Sequence, residues 1–269
     1  MERVANEFEQ RNDGNMCMKF LLAPWVVALT VVPVHGALAD EVTLIAPGGI
    51  RDAIQKMIPD FERKTGHTVK ATFGSGGGTK KRVMSGEPFD VPIVQPPLPE
   101  VLATGHVIAG TETPLAVVPV AVAVRKGAPK PDISTPDAVR RMLLAAKSVA
   151  YPDPARGAAA GASFDETLKK LGVAEPMQSR IVRAQGGSGA MALLAKGEVE
   201  IGLTFLSEIH DPGVEVVGLL PREISTPTGL VGYVSAHARS PAAAQALLTY
   251  LSSPEVASIY TALGMQPGR

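Results

Sequence analysis

The chain predicts an α/β fold of two lobes, each a mostly parallel mixed sheet flanked by helices, with two crossing segments as the hinge. Three observations lead there. Apolar, β-branched runs alternate with helical patterns over short connections from Val42 onward. Small-residue loops follow four separate strands, the position at which open α/β sheets receive ligands. The long uncharged run Leu115 to Val124 gives way to Lys126-Gly127-Ala128-Pro129-Lys130-Pro131, whose turn and linker chemistry marks a passage from one half to the other.

The first 39 residues stand apart from that pattern. Met18-Lys19 opens a segment that is apolar from Phe20 to Val34 and ends Ala37-Leu38-Ala39, a secretory leader with its cleavage site after Ala39. Residues 1–17 carry acids where an export signal needs bases, so they are expected to be an extension absent from the exported protein. The only cysteine, Cys17, would leave with the leader, which removes disulfide and thiolate chemistry. The expected product is a periplasmic, soluble, cysteine-free protein. Over the full 269-residue chain, 26 basic and 26 acidic residues cancel, and no basic run interleaves with aromatics, so nucleic acid is not an expected partner.

Taken in order, the apolar run Val42 to Ala46 predicts a strand, and Ile54, Met57, Ile58 and Phe61 fall on one face of a helix that Pro59 is expected to bend. A strand over 68–73, a helix over 79–85 and a strand over 90–94 continue the series, with a turn at Pro96-Pro97. The second half reads as helix 136–146, strand 148–151, helix 161–171, strand 181–184, helix 190–196 and strand 199–205. Two strands, 214–220 and 229–236, lead back to closing helices over 241–252 and 254–264. Ser240-Pro241 and Ser253-Pro254 read as hydroxyl N-caps before a first-turn proline, and Gly172 as a helix stop. The lobes are expected to comprise 40–117 with 227–269, and 118–226.

Four loops carry the candidate chemistry: Pro47-Gly48-Gly49, Gly74 to Thr79, Asp153 to Gly161, and Gly186-Gly187-Ser188-Gly189. Glycines let backbone approach a ligand, hydroxyls add donors, and free N–H groups at helix starts favour negative charge. An anion held from both walls of a cleft is the expectation, with Arg156 able to grip a carboxylate or oxyanion in two-pronged geometry. Lys80 and Lys81 read as a solvated helix face. A nucleotide P-loop is excluded because Thr79 precedes Lys80 in place of the required Gly-Lys-Ser/Thr order. Gly186-Gly187-Ser188-Gly189-Ala190 is similar to a nucleophile elbow, but of the histidines only His210 has an adjacent acid, Asp211, in what reads as a surface turn, so a secreted serine hydrolase is the weaker reading. No histidine pair has metal-ligand spacing.

The order of several stretches resembles a type II periplasmic substrate-binding protein of an ABC importer, in the molybdate-binding branch. They are Leu44 to Ile50, Phe73 to Thr79, Gly86 to Val91, Asp153-Pro154 with Ala160-Gly161, Gly189 to Leu194, Gly202 to Phe205 and Tyr250 to Glu255. The resemblance implies a non-enzymatic, monomeric protein without cofactor or metal that delivers a small anion to a membrane permease, the expected ligand being a molybdate-like oxyanion and the alternative a small organic carboxylate. It also implies a hydroxyl ligand at Ser75 and backbone donors near Ala160 and Ser188, whereas Gly49 and Phe205 replace a usual serine and tyrosine. The expected ligand-binding set is Gly48, Gly49, Ser75, Gly76, Gly77, Gly78, Thr79, Arg156, Ala160, Gly187, Ser188 and Phe205.

Overall fold

The structure, a computed structural model, describes residues 39–268. The expected leader and the extension ahead of it lie outside the described residues. The first lobe opens with β1 (Glu41–Pro47), a 3-10 turn at Gly48–Ile50, α1 (Arg51–Thr65), β2 (Thr68–Gly74), α2 (Gly76–Met84), β3 (Val91–Val94), α3 (Pro99–Ala103) and β4 (Thr113–Val118). The run 115–124, read as one apolar stretch, is two strands that part at Pro119, whose missing N–H and fixed φ break the ladder. From there β5 (Val120–Arg125) enters the second lobe, followed by α4 (Pro136–Ala145), β6 (Val149–Pro152), a 3-10 turn at Pro154–Arg156, α5 (Ala159–Lys170), α6 (Ala174–Met177), β7 (Ile181–Ala184), α7 (Gly186–Ala195), β8 (Ile201–Phe205), a 3-10 turn at Leu206–Glu208 and β9 (Val214–Leu219). The chain then returns for β10 (Thr228–Gly232), α8 (Pro241–Leu251), α9 (Ala257–Ala262) and β11 (Gln266–Pro267).

The six-stranded sheet has the order β11-β4-β10-β3-β1-β2 and the five-stranded sheet β7-β6-β8-β5-β9. Both are mixed in the same way. β1 is parallel to β2 and β3, and β6 is parallel to β7 and β8, while the crossing strands β10 and β5 pair antiparallel with their neighbours. In each sheet the chain leaves the central strand to one side and comes back on the other, so β1/β3 and β6/β8 are switch points whose carboxyl ends form a crevice.

One apolar cluster runs through both lobes, from Leu44, Ile54 and Phe61 through Val118 and Val120 to Tyr151, Phe164 and Leu203. Helix α1 buries Ala53, Ile54, Met57 and Phe61 as its spacing predicts, and it continues unbroken through Pro59 because the ring and the carbonyl of Gln55 lie on its exposed face. At the end of α5, Gly172 takes φ 66° while its N–H bonds Lys169 and that of Val173 bonds Leu168, the double closure a left-handed residue permits. The serine caps differ from expectation. Ser240 precedes α8, but its hydroxyl donates to Asp40 Oδ2 at 2.7 Å, and Ser253 Oγ is buried without a partner among the described residues.

Candidate functional site

A cleft of about 620 Å³ opens between the two sheets, within the range of small-molecule sites. Its walls are the segments that leave the carboxyl ends of six strands: Pro47 to Asp52 after β1, Gly74 to Gly76 after β2, Gln95 after β3, Pro152 to Ala160 after β6, Gln185 to Ser188 after β7 and Phe205 to His210 after β8. The four small-residue loops therefore share one hollow.

Glycines expected to be loop are the first turns of helices. Helix α2 begins at Gly76, α5 at Ala159 and α7 at Gly186. The first four N–H groups of a helix have no partner within it, and side chains of Ser, Thr, Asp or Asn ordinarily satisfy one of them. Around this cleft most starts lack that partner: the residues before the Gly48–Ile50 turn, α5 and α7 are Pro47, Ala158 and Gln185, none making a side-chain cap bond. Amides from both lobes are thus left to face the cleft, with the positive ends of α5 and α7 dipoles behind them.

Of the expected residues, Gly48, Gly49, Ser75, Gly76, Arg156, Ala160, Gly187, Ser188 and Phe205 line the cleft. Gly77, Gly78 and Thr79 do not. The Gly77 N–H donates to Gly157 O across the lobes at 2.8 Å, the Gly78 N–H donates to Ser75 Oγ at 3.2 Å, and Thr79 is fully buried with its hydroxyl toward Ala46 O. Ser75 can accept that bond and still turn its own O–H to a ligand. The two replacements belong together, since a Cβ on Gly49 would stand 3.1 Å from the Phe205 ring, so the phenyl fills the space a serine would need.

Charged groups complete the site, and among them Arg51 and Asp52 were not singled out from the sequence. Arg51, at the start of α1, stacks over Phe73 at 5.0 Å, which holds its guanidinium at the rim. Arg156 is mostly exposed and only 3.7 Å from Asp153, leaving its fork free. His210, expected on a surface turn, reaches across the lobes: its Nε2 lies 2.9 Å from Asp52 Oδ2 and 2.6 Å from Ser207 O. Ser207 adds a second bridge by donating to Gly49 O at 2.7 Å.

Glu208 is the unexpected member. Its carboxyl lies in the cleft wall, where it accepts a 2.5 Å hydrogen bond from Thr204 Oγ1. Burial pushes its pKa up; the Thr204 bond and the charges of His210 and Arg51 oppose that rise, and Asp52 adds to it. Arg51, Asp52, Gln95 and Glu208 lie in the segments that follow β1, β3 and β8, a placement at strand ends that is itself a sequence signal for side chains as well as for glycines.

A family model described as bacterial extracellular solute-binding protein matches residues 42–266. Among curated relatives, an aconitate isomerase of a Pseudomonas species is 34% identical over 232 residues, covering 84% of this chain and 87% of that protein. The molybdate-binding protein ModA of Azotobacter vinelandii is 27% identical over 253 residues, covering 92% and 98%. The solved structure of the periplasmic molybdate-binding protein of Azotobacter vinelandii superposes with a TM-score of 0.69 at 21% identity, covering 83% of this chain and 98% of that one.

Proposed function

This chain belongs to the bacterial extracellular solute-binding proteins, and on that premise we propose that it captures a small organic polycarboxylate in the interlobe cleft for delivery to an ABC permease. The observation that carries the reading is the convergence of uncapped helical starts from both lobes on one hollow flanked by Arg51 and Arg156. Backbone amides neutralise a carboxylate without a full counter-charge, and two separated guanidinium groups suit a ligand with separated anionic ends.

Three features favour a carboxylate over a molybdate-like oxyanion. The hollow is several times larger than a tetrahedral oxyanion needs. Gly49 and Phe205 supply no hydroxyl where an oxyanion cage would use one. Glu208 sets a carboxyl in the cleft wall, which disfavours a compact dianion held against it, whereas an extended organic acid can pass it. A ligand touching both lobes favours the closed arrangement already bridged by Ser207, His210 and Gly77.

A second reading, that the bound ligand is also chemically changed, is supported by Glu208 and by the relative named as an aconitate isomerase. Thermal shift against molybdate, sulfate, phosphate and a series of di- and tricarboxylates tests the primary reading. A ligand at one hundred times its Kd adds about 2.7 kcal/mol to folding, which raises the melting temperature by several degrees. The expected result is a rise with tricarboxylates that Arg156→Ala abolishes; a rise with molybdate alone would overturn the reading.

A further inference from the structure

We propose that Glu208 is the base of an allylic proton shift, so that the cleft isomerises small unsaturated polycarboxylates as well as binding them. The inference rests on the polycarboxylate reading of the cleft and goes beyond it by naming a reaction and the atom that performs it. Glu208 ends the 3-10 turn that follows β8, and its carboxyl occupies room that two glycines leave open, one from each lobe. A Cβ on Gly187 would collide with Oε2 and with Thr204 Oγ1, and a Cβ on Gly48 would stand 3.6 Å from Oε1. The carboxyl is therefore set between the start of α7 and the Gly48–Ile50 turn, where the amides for the ligand's own carboxylates converge.

Its two oxygens differ. Oε2 is tied down by Thr204, whereas Oε1 receives no hydrogen bond among the described residues. No ion pair to Glu208 forms among them either; Arg51, Asp52 and His210 flank it at the α1 side, His210 being engaged with Asp52 and Ser207. A bare carboxylate facing an anion weakens binding, so a site built only to bind would gain from an apolar or hydroxyl group here. Held with a raised affinity for protons, the same group is matched to taking a proton from carbon and returning it.

The step balances without a co-reactant. In a substrate with a methylene beside a C=C bond and carboxylates on both flanks, Oε1 takes a methylene proton. That C–H bond breaks and its electron pair forms a new C=C bond, while the old π pair moves to the far carbon and into its carboxylate. The amides opening α5 and α7, with Arg156, face the charge that develops there. Glu208 then gives the proton to the far carbon. The product has the same atoms and oxidation level, with the double bond moved by one carbon.

The probes are cis- and trans-aconitate, with binding read by calorimetry and conversion read by proton NMR in D2O as isomer exchange and deuterium entry at the allylic carbons. The wild-type protein is expected to bind and interconvert them. Glu208→Gln is expected to bind within a few-fold and to lose conversion by about 10²–10⁴-fold. If the glutamine variant fails to fold, Glu208→Asp, which withdraws the carboxyl by one methylene, is expected to fold and to convert at least about tenfold more slowly. Wild-type binding with neither conversion nor deuterium entry overturns the proposal and leaves the binding reading standing. No binding at all removes both, and conversion by Glu208→Gln near the wild-type rate, or loss of binding in step with conversion, removes Glu208 as the base.

Discussion

Two carboxylates, both taken out of bulk water, have their pKa values moved in opposite directions by what surrounds each. Asp90 is 1% exposed, and burial by itself would raise its pKa. Hydrogen bonds from the Thr43 hydroxyl at 2.6 Å, the Thr43 N–H at 2.7 Å and the Arg239 N–H at 2.6 Å outweigh that penalty and hold it below its ordinary 3.8. Glu208 has one neutral donor and goes the other way. Asp90 fastens β1 to β3 and to the approach of α8, so it is a structural group, whereas Glu208 faces the cleft. Asp90→Ala strands three donors and is expected to cost about 3 kcal/mol in urea unfolding at pH 7. Because the folded value is depressed, the stabilisation is present above 3.8 and is lost as pH falls through the folded value, so the difference between variant and wild type should shrink toward pH ~3. A difference independent of pH would show that the ionised form carries none of it.

At the scale of single elements, helix starts differ in whether a side chain already satisfies their first amides. Helix α4 has Thr135 accepting from the Ala138 N–H before Pro136, and α2 has Ser75 accepting from Gly78, while α5 begins after Ala158 in extended geometry with φ −78° and ψ 112°. That backbone already suits an N-cap. Ala158→Asp is therefore expected to raise stability by about 1 kcal/mol while lowering ligand affinity at least about tenfold, because its carboxylate would occupy the amides meant for the ligand. Denaturant unfolding and calorimetric titration read the two effects separately. A stabilised variant with unchanged affinity would remove the α5 start from the site.

Over the whole molecule, the two lobes share one apolar cluster that runs through both crossing segments, with Leu220 and Ile224 on one and Val118 and Val120 on the other. The walls of the cleft are also bridged by polar contacts, Ser207 to Gly49, Gly77 to Gly157 and His210 to Asp52. Lobes coupled in this way should not melt independently. Scanning calorimetry is expected to show one transition whose calorimetric and van't Hoff enthalpies agree, moved upward by ligand without splitting. Two resolved transitions in the absence of ligand would mean that the shared cluster does not couple the lobes.

Local pattern was enough for most elements, because burial leaves a pattern in the sequence: Ile54, Met57 and Phe61 mark the buried face of α1, and the run Val149 to Pro152, buried on both faces, marks β6. The glycine loops were legible as an anion-binding theme, and their positions at strand ends pointed to a common crevice. Local pattern did not separate β4 from β5 within one apolar run, nor reveal that the Gly77 and Gly78 amides are already engaged. The Gly77 bond depends on Gly157, far away along the chain, whereas the Pro119 break and the Ser75 cap are set by residues close in sequence. The residue types alone determined that an amide-rich crevice would exist between two α/β lobes. Only the tertiary structure decided which amides stay free and that the Glu208 carboxyl stands among them, since hydrogen-bond satisfaction and desolvation are set by neighbours in space.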